Sequence, residues 1–446
     1  MAAAPAAAFV LLLSSRGTWE QRVATAAAQA VIWALAVGLA HTLGGAALTA
    51  LGPRVAVGRG VLLAAVVSIA ASVWLPHERH TAAAFVLLPA CVFVGGAAWE
   101  TFSLRWVAPA VRLLLVGTSG AAETLVNDIR RGHAGGYELV GVVAEPESLE
   151  AEPHVSILGS VDELDRVIAE HRPDLVVLTP GPKPAHTVLR LLDAAEAGFR
   201  VVQLAQFYEY AFGRVPVEDL PHEWFLSVLH LYQRPYSRLA KRTIDLVGAL
   251  VLTLLTLPLF PLLALLVRQT EGPVILRQER LGEHGKLFTI YKFRTMRADA
   301  EQNGRAVWAG DGDPRVTRAG AFMRRLRLDE LPQLWNVLLG DMSLVGPRPE
   351  RPEFMDELTR RVPNWTRRHL VKPGLTGWAQ VRQGYAASAE ATSTKLSYDL
   401  WYLRHRSLTV DLAILMRTAV VVVRGDGTAA LPAAHPRSAA VAQPYD

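Results

Sequence analysis

Cysteine is almost missing from this 446-residue chain. Cys91 stands alone, which excludes an internal disulfide framework and any zinc site built on several cysteines. Charge is sparse too: 20% of residues are Asp, Glu, Lys or Arg, against 51% hydrophobic, and mean hydropathy is +0.22. That balance fits neither a disordered polymer nor a purely water-soluble protein. The excess of base over acid is small, 46 Lys and Arg to 41 Asp and Glu, for a formal charge of +5. It suits an anionic membrane surface or phosphorylated ligands; nucleic acid is only one possible reading of the charge, and no nucleic-acid partner is expected. Internal repeats are lacking, and the length calls for two or three domains.

What the chain does have is long apolar runs. Residues 24–51, 60–75 and 81–99 carry almost no charge. A spanning helix takes about 20 such residues, so all three are read as transmembrane. Residues 2–13 are too short to span and have neither a basic start nor a clear cleavage site. Arg54 and Arg59 fall in the first short loop and only Arg79 in the next. The positive-inside rule therefore places everything after residue 99 in the cytoplasm.

From Val111 the pattern changes. Short apolar runs at 112–116, 139–143, 175–178 and 201–204 alternate with helical stretches at 161–171 and 187–197 and around Leu125 and Ile129. Strands alternating with helices predict a parallel, doubly wound sheet. Gly117-Thr-Ser-Gly120 sits where such sheets bind phosphate at a helix N-terminus. It is not a full G-x-G-x-x-G, so a Rossmann-like structural or regulatory domain is the better reading than a dinucleotide site.

Residues 247–267 form a fourth long apolar run, with Pro258 and Pro261 near its middle, Lys241 and Arg242 before it and Arg268 after it. Proline in a helix interior removes a hydrogen bond and kinks the axis. The residues alone fit both a kinked span and a helix that enters one leaflet and returns. The stretch 272–423 is more polar and reads as a compact mixed domain. The tail from 425 on is rich in Ala, Pro and Gly and is expected to be disordered.

The densest charge beside apolar sequence is Arg324-Arg-Leu-Arg-Leu-Asp329-Glu330-Leu-Pro332. Leu331, Leu334, Trp335 and Leu338 recur at helical spacing and predict a buried face. Pro332 suits a first turn, which places Asp329 and Glu330 at a helix N-terminus. On residue type alone they could be no more than an N-cap and a first-turn acid. Arg348, in Gly346-Pro-Arg-Pro349, and Lys292 and Arg294, in Lys292-Phe-Arg294, add candidate phosphate ligands. Carboxylates among arginines suit phosphoryl transfer, with Mg²⁺ held by one or two carboxylates and substrate oxygens.

Residues 241 to about 425 closely resemble the bacterial sugar transferase family, the monotopic polyprenyl-phosphate sugar-1-phosphate transferases. The matching segments are Lys241-Arg-Thr-Ile-Asp245, Gln278-Glu-Arg-Leu-Gly282 and Ile290-Tyr-Lys-Phe-Arg-Thr-Met296. Leu326-Arg-Leu-Asp-Glu-Leu-Pro-Gln-Leu-Trp-Asn336 and Gly340-Asp-Met-Ser-Leu-Val-Gly-Pro-Arg-Pro349 follow. Lys372-Pro-Gly-Leu-Thr-Gly-Trp-Ala-Gln380 and Tyr398-Asp-Leu-Trp-Tyr402 complete the series. The N-terminal half resembles the long members, and Val215-Pro-Val-Glu-Asp-Leu220 looks like an exopolysaccharide-type subgroup.

The resemblance implies a membrane α-helical bundle, an α/β Rossmann-like domain and a mixed, mainly helical monotopic catalytic domain with a re-entrant membrane helix. The corresponding residues are 1–108, 109–206 and, after a connector at 207–238, 239–425, with the re-entrant helix at 243–268 and a tail at 426–446. It implies transfer of a sugar-1-phosphate from a UDP-sugar to undecaprenyl phosphate at the bacterial inner membrane. Asp329 matches the nucleophile, Glu330 its partner in organising Mg²⁺, and Arg324 and Arg348 phosphate-binding arginines. A homodimer and contact with the lipid bilayer are also implied. Two departures stand out. Leu257-Pro258 replaces the family's Ser-Pro at the re-entrant break, with Thr256 as a substitute hydroxyl. Three clear N-terminal spans are found where the family has four, with 2–13 as the remaining candidate. Competing readings are a metal-dependent glycosyltransferase using Asp311-Gly-Asp313, which would release UDP instead of UMP, and a non-enzymatic nucleotide-binding scaffold.

Overall fold

A computed structural model describes residues 110–424, apart from 118, 131–135, 145–155, 181–185, 194–197, 221–223, 229–234, 301–312 and 384–388. The expected N-terminal spans, the tail, Cys91 and Asp311 lie outside the described residues. The chain divides after Gly213 into two compact units.

The first unit is built on a five-stranded parallel sheet. Its strands are β1 (Val111–Val116), β2 (Tyr137–Val143), β3 (Ile157–Gly159), β4 (Leu175–Leu178) and β5 (Arg200–Gln203), in the order β3-β2-β1-β4-β5. Four helices intervene or follow: α1 (Gly120–Arg130), α2 (Leu164–His171), α3 (His186–Asp193) and α4 (Leu204–Ala211). Successive strand residues face opposite ways, and β1 uses both faces. Leu113 and Leu115 pack with Leu125 of α1 and Phe207 and Tyr208 of α4. Leu114 and Val116 pack with Leu164 and Ile168 of α2 and Leu191 of α3. A continuous apolar run is what a strand covered on both sides requires. The first helical turn expected at 161–171 is a 3₁₀ turn, Val161–Glu163, before α2 begins. α4 extends this unit beyond residue 206, because Leu204, Phe207, Tyr208 and Ala211 join its core.

The second unit opens with a 3₁₀ turn, Val217–Asp219, and a helical stretch at 224–228, followed by α5 (Pro235–Thr256) and α6 (Leu259–Val267). The helices break at Leu257-Pro258 and bend by 68°. Pro258 supplies no N–H to carry the α5 ladder onward, and Thr253 and Thr256 donate their hydroxyls back to Ala249 O and Leu252 O, each at 2.7 Å. Such back-bonding bends helices. Leu254, Leu255, Leu257, Leu262 and Leu265 are exposed along the pair. Among the described residues no single helix is long and apolar enough to cross a membrane; this bent pair passes on length and composition together.

The inner side of the pair is anchored. Leu263 and Val267 pack with Phe293 and Met323. Lys241 and Arg242 are not simple flanking charges. Lys241 reaches Asp245 at 3.2 Å and Asp411 at 2.8 Å, and Arg242 donates to Val337 O and Leu338 O at 2.7 and 2.9 Å.

The antiparallel hairpin of β6 (Ile275–Leu281) and β7 (Leu287–Phe293) follows, then α7 (Arg318–Arg325) and α8 (Gln333–Leu339). β8 (Ser343–Val345) pairs in parallel with β9 (Gly374–Thr376), with α9 (Met355–Arg361) between them in sequence. α10 (Trp378–Arg382), α11 (Ala389–His405) and α12 (Leu408–Arg424) close the unit. Stacked Trp378 and Trp401, 5.0 Å apart, join α10 to α11.

Candidate active site

α7 ends at Arg325, and Arg327 then takes a left-handed conformation, φ 56°. That reversal starts a single 3₁₀ turn, Leu328–Glu330, with Pro332 at the N-cap of α8. Asp329 and Glu330 therefore precede a helix, as expected, but on a separate tight turn. Both are buried, 8% and 7% exposed. α8 corrects the expected face. Leu334 is buried, but Trp335 is 57% exposed. Fully buried Asn336 lies on the inner face instead, because its amide donates to Thr289 O at 2.7 Å and its carbonyl accepts from Tyr291 N at 3.2 Å. Hydrogen bonds to the β7 backbone offset the desolvation of that amide.

Three other segments converge on the carboxylates. β7 brings Lys292. α7 brings Arg324, whose Nε donates to Thr295 Oγ1 at 2.8 Å. Gly320 lets α7 approach so closely: a Cβ there would lie 2.0 Å from Thr295 O. The third segment is the Gly346-Pro-Arg348 turn after β8. Gly346 N donates to Thr376 O, and Gly374 N to Pro347 O, both at 2.9 Å. A Cβ on Gly346 would meet Lys372 O at 2.4 Å. So the glycines of the 346–349 and 372–377 motifs serve one backbone contact. From this turn Arg348 Nη2 donates to Glu330 Oε1 at 2.7 Å, and Arg327 lies 3.5 Å from the same oxygen.

These contacts divide the two carboxylates. Burial opposes the charge of Glu330, but Arg348 and Arg327 outweigh it and hold its carboxyl below the usual range. Asp329 is pushed up to about 6 by burial and by the charge of Glu330, with Arg324, Lys292 and Arg348 opposing. Lys292 is lowered to about 8 by burial and by Arg280, Arg348 and Arg324, while Asp329 opposes the shift. A crowded basic cluster of this kind favours an arriving anion.

Not every expected residue joins the group. Arg294 is buried elsewhere, donating to Pro273 O and Thr270 O at 2.8 Å and to Val267 O at 3.3 Å. It closes the carbonyl end of α6. Asp313 binds Arg315, with Nη2 to Oδ2 at 2.6 Å. Thr295 and Arg280 lie within the matching segments 290–296 and 278–282, but residue type alone gives neither a place beside Arg324 and Lys292.

The adjacent carboxylates fit a hard divalent cation. Mg²⁺ takes few protein oxygens and completes its shell with phosphate and water, and a dyad in which one charge raises the other's pKa has an electrostatic reason to accept a cation.

The bacterial sugar transferase signature matches residues 236–425. The chain is 42% identical over 238 residues to the UDP-N-acetylgalactosamine-undecaprenyl-phosphate N-acetylgalactosaminephosphotransferase of Aeromonas hydrophila, covering 53% of this chain and 55% of that protein. It is 31% identical over 368 residues to the UDP-glucose:undecaprenyl-phosphate glucose-1-phosphate transferase of Escherichia coli K12, covering 78% and 74%. It is 41% identical over 205 residues to the undecaprenyl-phosphate galactose phosphotransferase of Salmonella typhimurium, covering 43% and 42%. The chain thus spans just over half the length of the first of these relatives. With the second aligned along 74% of its length, the chain belongs to the bacterial sugar transferase family.

Proposed function

We propose that this protein is an undecaprenyl-phosphate sugar-1-phosphate transferase that uses a UDP-sugar donor, works through an aspartyl-phosphosugar intermediate and releases UMP. The observation that carries the reading is the buried Asp329–Glu330 pair, with Arg348 on Glu330 and with Arg324 and Lys292 acting on Asp329. A carboxylate oxygen of Asp329 attacks the β-phosphorus of the UDP-sugar. The bond from that phosphorus to the bridging oxygen breaks, and UMP leaves with the electron pair. A phosphate oxygen of undecaprenyl phosphate then attacks the same phosphorus and displaces the Asp329 carboxylate, giving the undecaprenyl diphosphosugar. Neither step needs a proton. Division into two steps avoids direct attack of one phosphorylated substrate on the other.

Glu330 keeps its charge throughout and, fixed by Arg348, holds the turn on which Asp329 stands. Lys292, Arg324 and Arg348 bind the donor's phosphate oxygens and offset the charge that develops on UMP. Asp329 and Glu330 would hold Mg²⁺, which when bound neutralises pyrophosphate charge.

The same reading places α5 and α6 in one leaflet, with Pro258 at the turn, and the enzyme at the cytoplasmic face of the bacterial inner membrane, where it initiates exopolysaccharide or related glycoconjugate synthesis. In it residues 1–108 span the bilayer, residues 109–206 form a Rossmann-like domain, residues 239–425 catalyse, and two copies associate. The strand order β3-β2-β1-β4-β5 supports the Rossmann-like assignment. The test is turnover of a panel of UDP-sugars with undecaprenyl phosphate. UMP and a lipid-linked diphosphosugar are expected. Release of UDP would overturn the proposal in favour of a glycosyltransferase.

A further inference from the structure

Next to the Arg348 turn lies a cluster of buried and half-buried charge that the chemistry above does not use. Arg368 sits on the 3₁₀ turn Trp365–Leu370 and is 1% exposed. It donates from Nε and Nη2 to Asp399 Oδ2 on α11, at 3.0 and 2.6 Å. Nη1 donates to Glu350 Oε1 at 3.2 Å, and Lys395 of α11 binds that oxygen too. The cluster is electrically balanced, two cations to two carboxylates. One bond leaves it: Arg368 Nη2 donates to the backbone carbonyl of Arg348 at 3.0 Å.

Neighbouring backbone is held as tightly. Arg280 Nη1 donates to Pro349 O at 3.2 Å, and Leu281 N donates to Glu350 O at 3.0 Å. Three consecutive carbonyls, 348 to 350, are therefore pinned at the base of the turn that presents the Arg348 side chain. Buried ion clusters are weak contributors to stability, since apolar replacements often do as well. What an apolar side chain cannot do is reach two carboxylates and a carbonyl in one plane, as a guanidinium does.

We propose that Arg368, oriented by Asp399 and Glu350, is a positioning residue for the transfer reaction: it fixes the Arg348 turn so that the Arg348 guanidinium meets Glu330. This inference rests on the proposed function. Arg368 touches no substrate. Its effect passes through Arg348, and a 1 Å displacement there is worth on the order of 100-fold in rate.

The experiment is a double-mutant cycle on the full-length, membrane-embedded protein, using UMP release as readout, with Arg368→Lys, Arg348→Ala and the pair. Arg368→Lys keeps the charge and loses the fork. It is expected to lose about 10- to 100-fold in kcat but to cost little more once Arg348 is gone. A role in stability alone would multiply the two losses, which would overturn the proposal. Asp399→Asn provides a milder variant if Arg368→Lys does not fold, with a smaller loss expected in the same direction. A crystal structure of either variant reads the claim without turnover: Arg348 should have left Glu330, and a preserved bond refutes positioning. Absence of UMP from the parent enzyme would sink the proposed function, while the structural readout would still decide the role of Arg368.

Discussion

Arg348 donates from Nη2 to Oε1 of Glu330 across 2.7 Å, joining residues eighteen positions apart. The bond fixes which carboxylate stays charged. Glu330 is locked as an anion, and its charge, together with burial, raises Asp329. One carboxylate is a fixed electrostatic support, and in the proposed function the other meets the electrophile. Four predictions follow from that division and from the bend at Pro258.

Replacing Asp329 by Asn keeps size and hydrogen bonding but removes the nucleophilic oxygen anion. The variant should fold, remain in the membrane and form no phosphosugar adduct, with UMP release reduced by roughly a thousand-fold or more. Adduct trapping with radiolabelled UDP-sugar checks this. A labelled adduct on the Asn variant would show that another residue is the nucleophile.

The same variant should also be more stable at neutral pH in EDTA. The folded protein raises the pKa of Asp329 above its unfolded value. Its contribution is therefore fully present below the unfolded pKa and is lost as pH rises through about 6, where the buried side chain must ionise. Asn escapes that cost. We expect a stabilisation on the order of 1–3 kcal/mol at pH 7–8 that fades towards pH 4. Thermal denaturation across this range is the measurement, and a stability gain that grows as pH falls would contradict the assignment.

Replacing Arg348 by Lys keeps the charge but not the planar fork that meets Glu330 and, in the proposed function, would also hold a donor phosphate. Activity should fall by about 10- to 100-fold with little change in melting temperature. Parent-like turnover by the Lys variant would remove Arg348 from the list of phosphate ligands.

The proposed re-entrant seating of α5–α6 predicts that both of its ends face the cytoplasm. With Cys91 replaced by Ala, single cysteines introduced by Arg238→Cys and Glu271→Cys should both resist a membrane-impermeant maleimide in intact cells and react once the cells are opened. Both positions are exposed on the protein surface, so burial would not mimic protection. Labelling of one from outside while the other stays protected would establish a true crossing.

Much of the fold was legible in the chain itself. The apolar run at 111–116 and its alternation with amphipathic stretches encode a strand covered on both faces, and the parallel sheet follows. Pro258 marks the break between α5 and α6. β3 has too few residues, three, to show a period in the sequence, and Ile157 lies half-exposed there. Asp329 and Glu330 stood out as an acid pair ahead of a helix, since sequence neighbours keep that relationship in any fold.

What only the tertiary structure decided was the partner of each charge. Arg294 and Arg348 are both arginines in conspicuous motifs, yet one closes the end of α6 and the other meets Glu330. Trp335 faces outward while Asn336 is buried, because β7 offers Asn336 backbone hydrogen bonds that helical spacing cannot foresee. Periodicity reports which face of an element is apolar. Hydrogen bonds and ion pairs between residues tens of positions apart depend on where packing brings the backbones together, and no local pattern in the sequence carries that distance.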